Sequence, residues 1–260
     1  MEIREHILLS LAEIEERYDV RILLAVETGS RAWGFASSDS DYDVRFVYIH
    51  RRDWYLSILP GRDVIEEMSE DRVFDLSGWD LKKALYLMSK CNCSFAEWLA
   101  SPIVYFADPL FLKEVNKLKN KYFRKVSAAN HYYHMAVNDH HRLATYANYS
   151  IKRFLYHTRG LLSAKWSLEK DSYPPVPFAE LVDAEVEDAS IRELIAEVVR
   201  KKMAGRELDD IHLKKELFVY VSSLAANMSL RIRELHKGES ISMDSLDRFF
   251  LKILDYSWKV

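Results

Sequence analysis

Cysteine, proline and glycine are all scarce in this chain, with 2, 6 and 7 copies among 260 residues. Cys91 and Cys93 lie one residue apart, a spacing poor for a disulfide and unlike the paired spacing of a zinc site, so a reducing compartment is expected. Few Gly and Pro beside 49% hydrophobic and 30% charged residues describe a folded, helix-rich protein and exclude a disordered one. A large excess of one charge is missing too. The formal net charge of -3 argues against a chain built to coat nucleic acid non-specifically, although a local basic patch could still meet a phosphate backbone. The opening stretch Met1 to Asp19 alternates charged and apolar residues at helical spacing. It has neither the apolar segment of a signal peptide nor a membrane span, so a cytoplasmic protein with no membrane partner is expected. No internal repeat or low-complexity tract stands out.

What is present divides into two styles of pattern. Ile3, Ile7, Leu11 and Ile14 recur at helical steps and predict an amphipathic first helix ending near Tyr18. Val20 to Val26 is apolar and rich in branched residues, and runs into Glu27-Thr28-Gly29-Ser30, a strand feeding a turn. Asp41 to Ile49 predicts a second strand. After the Pro60-Gly61 turn, Val64 to Met68 and Arg72 to Leu76 predict a third and a fourth, with a helix beginning near Gly78 or Trp79. From about Phe111 onward the strand signals give way to helical patterns over Ser127–Ala147, Ile151–Leu168 and Leu213–Leu235, interrupted by the rigid Tyr173-Pro174-Pro175-Val176-Pro177 connection. The expected architecture is α+β: a domain over residues 1–110 with a small mixed sheet, followed by an all-α domain over 111–260.

The chemistry concentrates around the first turn. Residues two apart on a strand share a face, so Asp41 and Asp43 set two carboxylates side by side, with Tyr42 and Val44 opposite. Adjacent anions repel unless a cation joins them, and hard divalent ions such as Mg²⁺ take carboxylate together with substrate phosphate oxygens. Gly29 lets the backbone turn sharply near a ligand, and Ser30 offers a hydroxyl and an amide to a phosphate oxygen. A phosphate-binding turn opposite a metal-holding acid pair meets the main needs of phosphoryl or nucleotidyl transfer: polyphosphate held, charge neutralised and the attacking oxygen placed.

Gly29-Ser30, ten residues from Arg31 to Ser40, then Asp41-Tyr42-Asp43 resembles the signature of DNA polymerase β superfamily nucleotidyltransferases. The fuller string Glu27-Thr28-Gly29-Ser30-Arg31-Ala32-Trp33-Gly34, continued by Ser40-Asp41-Tyr42-Asp43-Val44-Arg45-Phe46, is similar to the RNA repair pathway polymerase-β-like proteins. The resemblance implies a third carboxylate on a neighbouring strand, completing a two-metal site. Asp75 is the choice, with Glu67 and Asp80 as alternatives. It further implies Mg²⁺ (Mn²⁺ as substitute), a nucleoside triphosphate donor and pyrophosphate release. The acceptor is a hydroxyl, of an RNA 3′ end or else of a protein or small molecule. The resemblance extends to Lys152-Arg153-Phe154-Leu155-Tyr156-His157-Thr158-Arg159, where Lys152, Tyr156 and Arg159 share a helix face and, with Arg31, join Gly29 and Ser30 as expected nucleotide contacts.

Plainer readings exist for each. Asp75 fits an N-cap as well, and the Lys152 face fits a solvated helix surface. His131, His134, His140 and His141 with Asp139 lack H-E-x-x-H spacing, so no zinc site is expected. Lys113, Lys117, Lys119, Lys121, Arg124 and Lys125 fit a solvated face better than an RNA guide. Beside the enzyme stand two alternatives, a catalytically silent nucleotide-binding sensor and a protein-interaction module.

Overall fold

The structure, a computed structural model, describes residues 2–59, 61–69, 72–137, 150–206, 215–235 and 241–259. Pro60, Asp139, His140, His141 and the expected helical residues 138–147 and 213–214 lie outside that set. The chain runs α1 (Ile3–Tyr18), β1 (Val20–Glu27), α2 (Gly29–Trp33), β2 (Tyr42–His50), α3 (Arg52–Tyr55), β3 (Val64–Met68), β4 (Phe74–Asp80), α4 (Leu81–Ser89), α5 (Cys93–Trp98), β5 (Val104–Ala107) and α6 (Pro109–Lys119). It continues through α7 (Lys125–Val137), α8 (Ile151–Lys170), α9 (Phe178–Glu185), α10 (Ala189–Met203), α11 (Lys215–Arg233) and α12 (Asp244–Ser257). The fold is α+β, with a small mixed sheet followed by a mainly helical part.

The five strands order as β3-β4-β2-β1-β5. Strands β1 and β2 are antiparallel, and β2 and β4 are parallel. One sheet face buries Ala25, Val44, Phe46 and Leu76 against Ile7, Leu11 and Ile14 of α1, which is the stripe that the helical spacing announces. The other face buries Leu23, Leu24, Val26, Val47 and Ile49 against α4, α5, α6 and α12. A register shift between Ile22 and Leu24 turns consecutive leucines to one side, as a bulge does.

The fourth strand departs from its expected position. It extends through Gly78 to Asp80, and the helix starts only at Leu81. Gly78 pairs with Phe46, and a Cβ there would collide with the Phe46 ring. This glycine marks close packing across a strand rather than a helix start. Strand β5 is not announced by the sequence patterns, whereas α9, α10 and α12 lie in the stretch expected to be helical without a pattern marking each one. Packing also runs across residue 110: Phe111 and Val115 of α6, and Leu246, Phe249 and Ile253 of α12, belong to the core of the sheet. The helical core of α7 to α11 in turn takes in Phe35, Cys91 and Cys93 from the first part of the chain.

Candidate active site

Strand β1 ends at Glu27, and the chain reverses through Thr28 and Gly29, whose φ of 61° lies in the left-handed region that glycine tolerates. A Cβ on Gly29 would overlap Asp43 Oδ2, so the missing side chain is what lets the turn lie against that carboxylate. Thr28 fixes the same approach, its amide and its Oγ1 donating to the Asp43 carbonyl at 2.9 and 3.0 Å. Beneath lies Glu27, fully buried; its Oε1 accepts from the Asp43 amide at 2.8 Å, and its Oε2 accepts from the Tyr105 hydroxyl. Burial raises the Glu27 pKa above the ordinary carboxylate value. Ser30 is buried beside Gly29, and its carbonyl accepts from the Phe35 amide at 3.0 Å.

The parallel pairing of β2 with β4 sets Asp75 directly opposite Asp43. Arg45, two residues beyond Asp43 on the same strand face, joins them. Its Nη2 lies 3.2 Å from Asp43 Oδ1 and 2.7 Å from Asp75 Oδ2. Its Nη1 donates to the carbonyls of Val44 and Asp75 at 3.1 and 3.0 Å. Burial raises the pKa of Asp43, Arg45 opposes, the charges of Asp75 and Asp41 add to the rise, and Lys152 lowers it. Asp41 is exposed immediately before β2. Among the described residues, no three His, Cys, Asp or Glu side chains cluster closely enough to hold a metal ion by themselves.

The two other acids have different surroundings. Glu67 sits on β3 opposite Leu76, one strand further out, and pairs with Arg17 at 2.6 Å. Asp80 caps α4, accepting from the Lys82 amide at 2.8 Å and from the Tyr55 hydroxyl at 2.6 Å, and burial raises its pKa to about 6.

The loop between turn and acids is clamped from two sides. Arg31 donates from Nε to the Asp41 carbonyl at 3.0 Å and from Nη2 to the Ser40 carbonyl, and its guanidinium lies 3.6 Å from the Tyr42 ring centroid. Lys202 of α10, only 1% exposed, donates to Ser37 Oγ at 3.1 Å and Ser40 Oγ at 3.4 Å. A buried ammonium persists only where such partners replace its water, so the helical part holds the loop that precedes Asp41.

The expected Lys152–Tyr156–Arg159 row divides. Lys152 is exposed, and its charge is felt at Asp43. Tyr156 packs edge-on against Trp33 of α2, with centroids 4.8 Å apart. Arg159 turns inward, 2% exposed, 4.2 Å from the Trp33 ring centroid and 3.0 Å from Glu97. Arg31 and Arg159 are thus occupied with the protein itself. Sequence reasoning gave no role to Arg45, Glu27 or Lys202. For Arg45 the signal was available, a cation continuing the Asp41, Asp43 alternation; for Lys202 there was none.

The remaining motifs stay apart from the site. His134 is exposed on α7, and burial lowers the pKa of His131. Lys117 pairs with Glu114 at 2.7 Å, Lys121 donates to Ser245 at 3.0 Å and Arg124 donates to the Ser89 carbonyl at 3.0 Å, so the basic run is divided among separate partners. No described helix is long and apolar enough to cross a membrane.

Three similarities bear on this geometry. A protein of Bacillus subtilis (strain 168) named "Uncharacterized protein YcgL" is 33% identical over 256 residues, covering 98% of both chains. A solved nucleotidyltransferase-like protein from Exiguobacterium sibiricum 255-15 is 14% identical, covering 95% of this chain and 87% of that one, but its TM-score of 0.30 is too low to add weight. The model of the RNA repair pathway DNA polymerase beta family (RlaP) matches residues 3–252. The chain therefore belongs to the RNA repair pathway DNA polymerase beta family.

Proposed function

We propose that the chain is a metal-dependent nucleotidyltransferase that moves a nucleoside monophosphate from a nucleoside triphosphate to an acceptor hydroxyl, with an RNA 3′ end as the first acceptor to test. The observation that carries this reading is the Gly29 turn lying against Asp43 Oδ2 while Asp75 faces Asp43 across the sheet. The donor set fits Mg²⁺, with Mn²⁺ as substitute, because such an ion needs only one or two carboxylates when polyphosphate oxygens complete its shell. Asp43 and Asp75 are those carboxylates, and Asp41 adds negative charge at the mouth. When bound, the ion would neutralise polyphosphate charge as the pentacoordinate phosphorus forms.

The protein's own groups position and orient. The Gly29-Ser30 turn receives the polyphosphate at its amides and at the Ser30 hydroxyl. Lys152, whose charge already reaches Asp43, supplies a second cation on the open side. The acceptor oxygen attacks the α-phosphorus, the bond to the β-phosphate bridging oxygen breaks and pyrophosphate leaves. The acceptor proton passes to the Asp75 carboxylate. Arg31 and Lys202 act at one remove, fixing the 36–41 loop so that the acids stay aligned with the turn. Labelled triphosphates of all four bases, incubated with Mg²⁺ and total cellular RNA, test the reading. Label in RNA that disappears with Asp43→Asn supports it, and no label from any base in RNA, or in protein and small-molecule acceptors treated in the same way, contradicts it.

The second reading is a nucleotide sensor without turnover, and the observation favouring it is Arg45, which already offsets part of the acid pair's charge. Tight triphosphate binding with no product from RNA, protein or small-molecule acceptors would select it.

A further inference from the structure

We propose that Arg45 replaces one of the two metal ions that a three-carboxylate transferase site would otherwise hold, so that this site works with a single divalent cation. The inference rests on the nucleotidyltransferase reading and concerns how that site is charged. In two-ion sites the metals sit about 3.5–4 Å apart and share carboxylate oxygens. Here a guanidinium nitrogen lies between the two facing carboxylates, 3.2 Å from Asp43 Oδ1 and 2.7 Å from Asp75 Oδ2.

Two features make this cation resident rather than a placeholder. An arginine side chain is a fixed cation. It is also tied by its other terminal nitrogen to the Val44 and Asp75 carbonyls at 3.1 and 3.0 Å. Moving it away would break four charge-assisted contacts within a partly buried strand pair. The charge balance points the same way. Asp43 and Asp75 bring two negative charges, and Arg45, in contact with both, already offsets one of them, which leaves little for a second divalent ion to neutralise. Of the carboxylate oxygens that Arg45 leaves for the single ion, Asp43 Oδ2 faces Gly29 and the phosphate-binding turn, and no third ligating side chain closes around the pair among the described residues.

Electron paramagnetic resonance of Mn²⁺ separates the cases without reference to turnover, because two ions that close couple their spins whereas an isolated ion keeps its six-line spectrum. The full chain with Mn²⁺ and a non-hydrolysable nucleoside triphosphate is expected to show the isolated spectrum and one ion per chain by equilibrium dialysis. Arg45→Met is expected to admit a second, spin-coupled ion, and Arg45→Lys to stay at one. A coupled pair in the unaltered protein overturns the inference while leaving nucleotidyl transfer intact. An unaltered protein that retains no Mn²⁺ with nucleotide overturns both. If Arg45→Met fails to fold, the spectrum of the unaltered protein decides alone.

Discussion

The two parts of the molecule use charge in opposite ways. Around the sheet, Asp41, Asp43 and Asp75 gather on one side, and burial together with the charges of Asp75 and Asp41 raises the pKa of Asp43 against the opposing pull of Arg45 and Lys152. In the helical part three buried ionic groups have partners within the protein: Arg159 lies 3.0 Å from Glu97, Glu185 lies 3.2 Å from Lys165, and Lys202 donates to Ser37 and Ser40. An uncompensated charge held in place by backbone is stored binding energy for a ligand, whereas a matched buried charge is a joint. The helical part is thus read as the clamp and the sheet as the reacting surface.

Removing a sheet acid should break this contrast most strongly. Asp43→Asn is expected to lower transfer by on the order of 10³-fold, the scale on which lost stabilisation of transition-state charge acts, with little change in the thermal melting point. A large fall in melting point would mark Asp43 as a joint. Arg159→Ala, by contrast, should cost about 3 kcal/mol of folding stability by emptying a fully buried position and leaving the part-buried Glu97 without its partner. Urea unfolding measures that loss, and KM for triphosphate in the folded protein should stay the same. A raised KM would return Arg159 to the nucleotide contacts. Gly29→Ala should cost about 1–2 kcal/mol for its left-handed backbone and also reduce transfer, since the new Cβ displaces Asp43 Oδ2.

Asp80 offers a finer test within the sheet part. Its folded pKa of about 6 stands above the ordinary value of 3.8, so between those pH values the folded protein keeps a proton that the unfolded chain releases. Stability therefore falls as pH rises through that window and levels off above it. Asp80→Asn keeps the helix cap and should remove that slope, gaining about 2 kcal/mol at pH 7 relative to pH 4 in urea titrations. Loss of transfer in this variant would instead make Asp80 a ligand. The smallest effect belongs to Lys152→Ala: KM for triphosphate rises several-fold while stability moves by less than about 0.5 kcal/mol, as is usual for an exposed side chain.

How much of this was legible beforehand follows the range of the interactions. The turn and its flanking strands are local, so branched residues in β1, Gly29 and the Asp41, Asp43 alternation announce them directly. Asp75 could be named only through a resemblance, because its pairing with Asp43 joins strands separated by β3 and is invisible to periodicity. Gly78 misled because a glycine crossed by an aromatic ring looks, in one dimension, like the end of a strand. Val104-Tyr105-Phe106-Ala107 is too short for an alternation to declare itself. Arg159 reads as a nucleotide contact and Lys202 carries no signal at all, because only distant partners, Glu97 and the Ser37–Ser40 loop, make their burial tolerable.

The most direct measurement follows the phosphorus. Triphosphate labelled in parallel at the α or the γ position is given to the protein with Mg²⁺ and RNA. Nucleotidyl transfer at the Gly29–Asp43 junction predicts α-label on the acceptor and γ-label in pyrophosphate, both lost with Asp43→Asn. Label transferred to the acceptor from the γ position, or α-label transfer that survives the loss of Asp43, would contradict it.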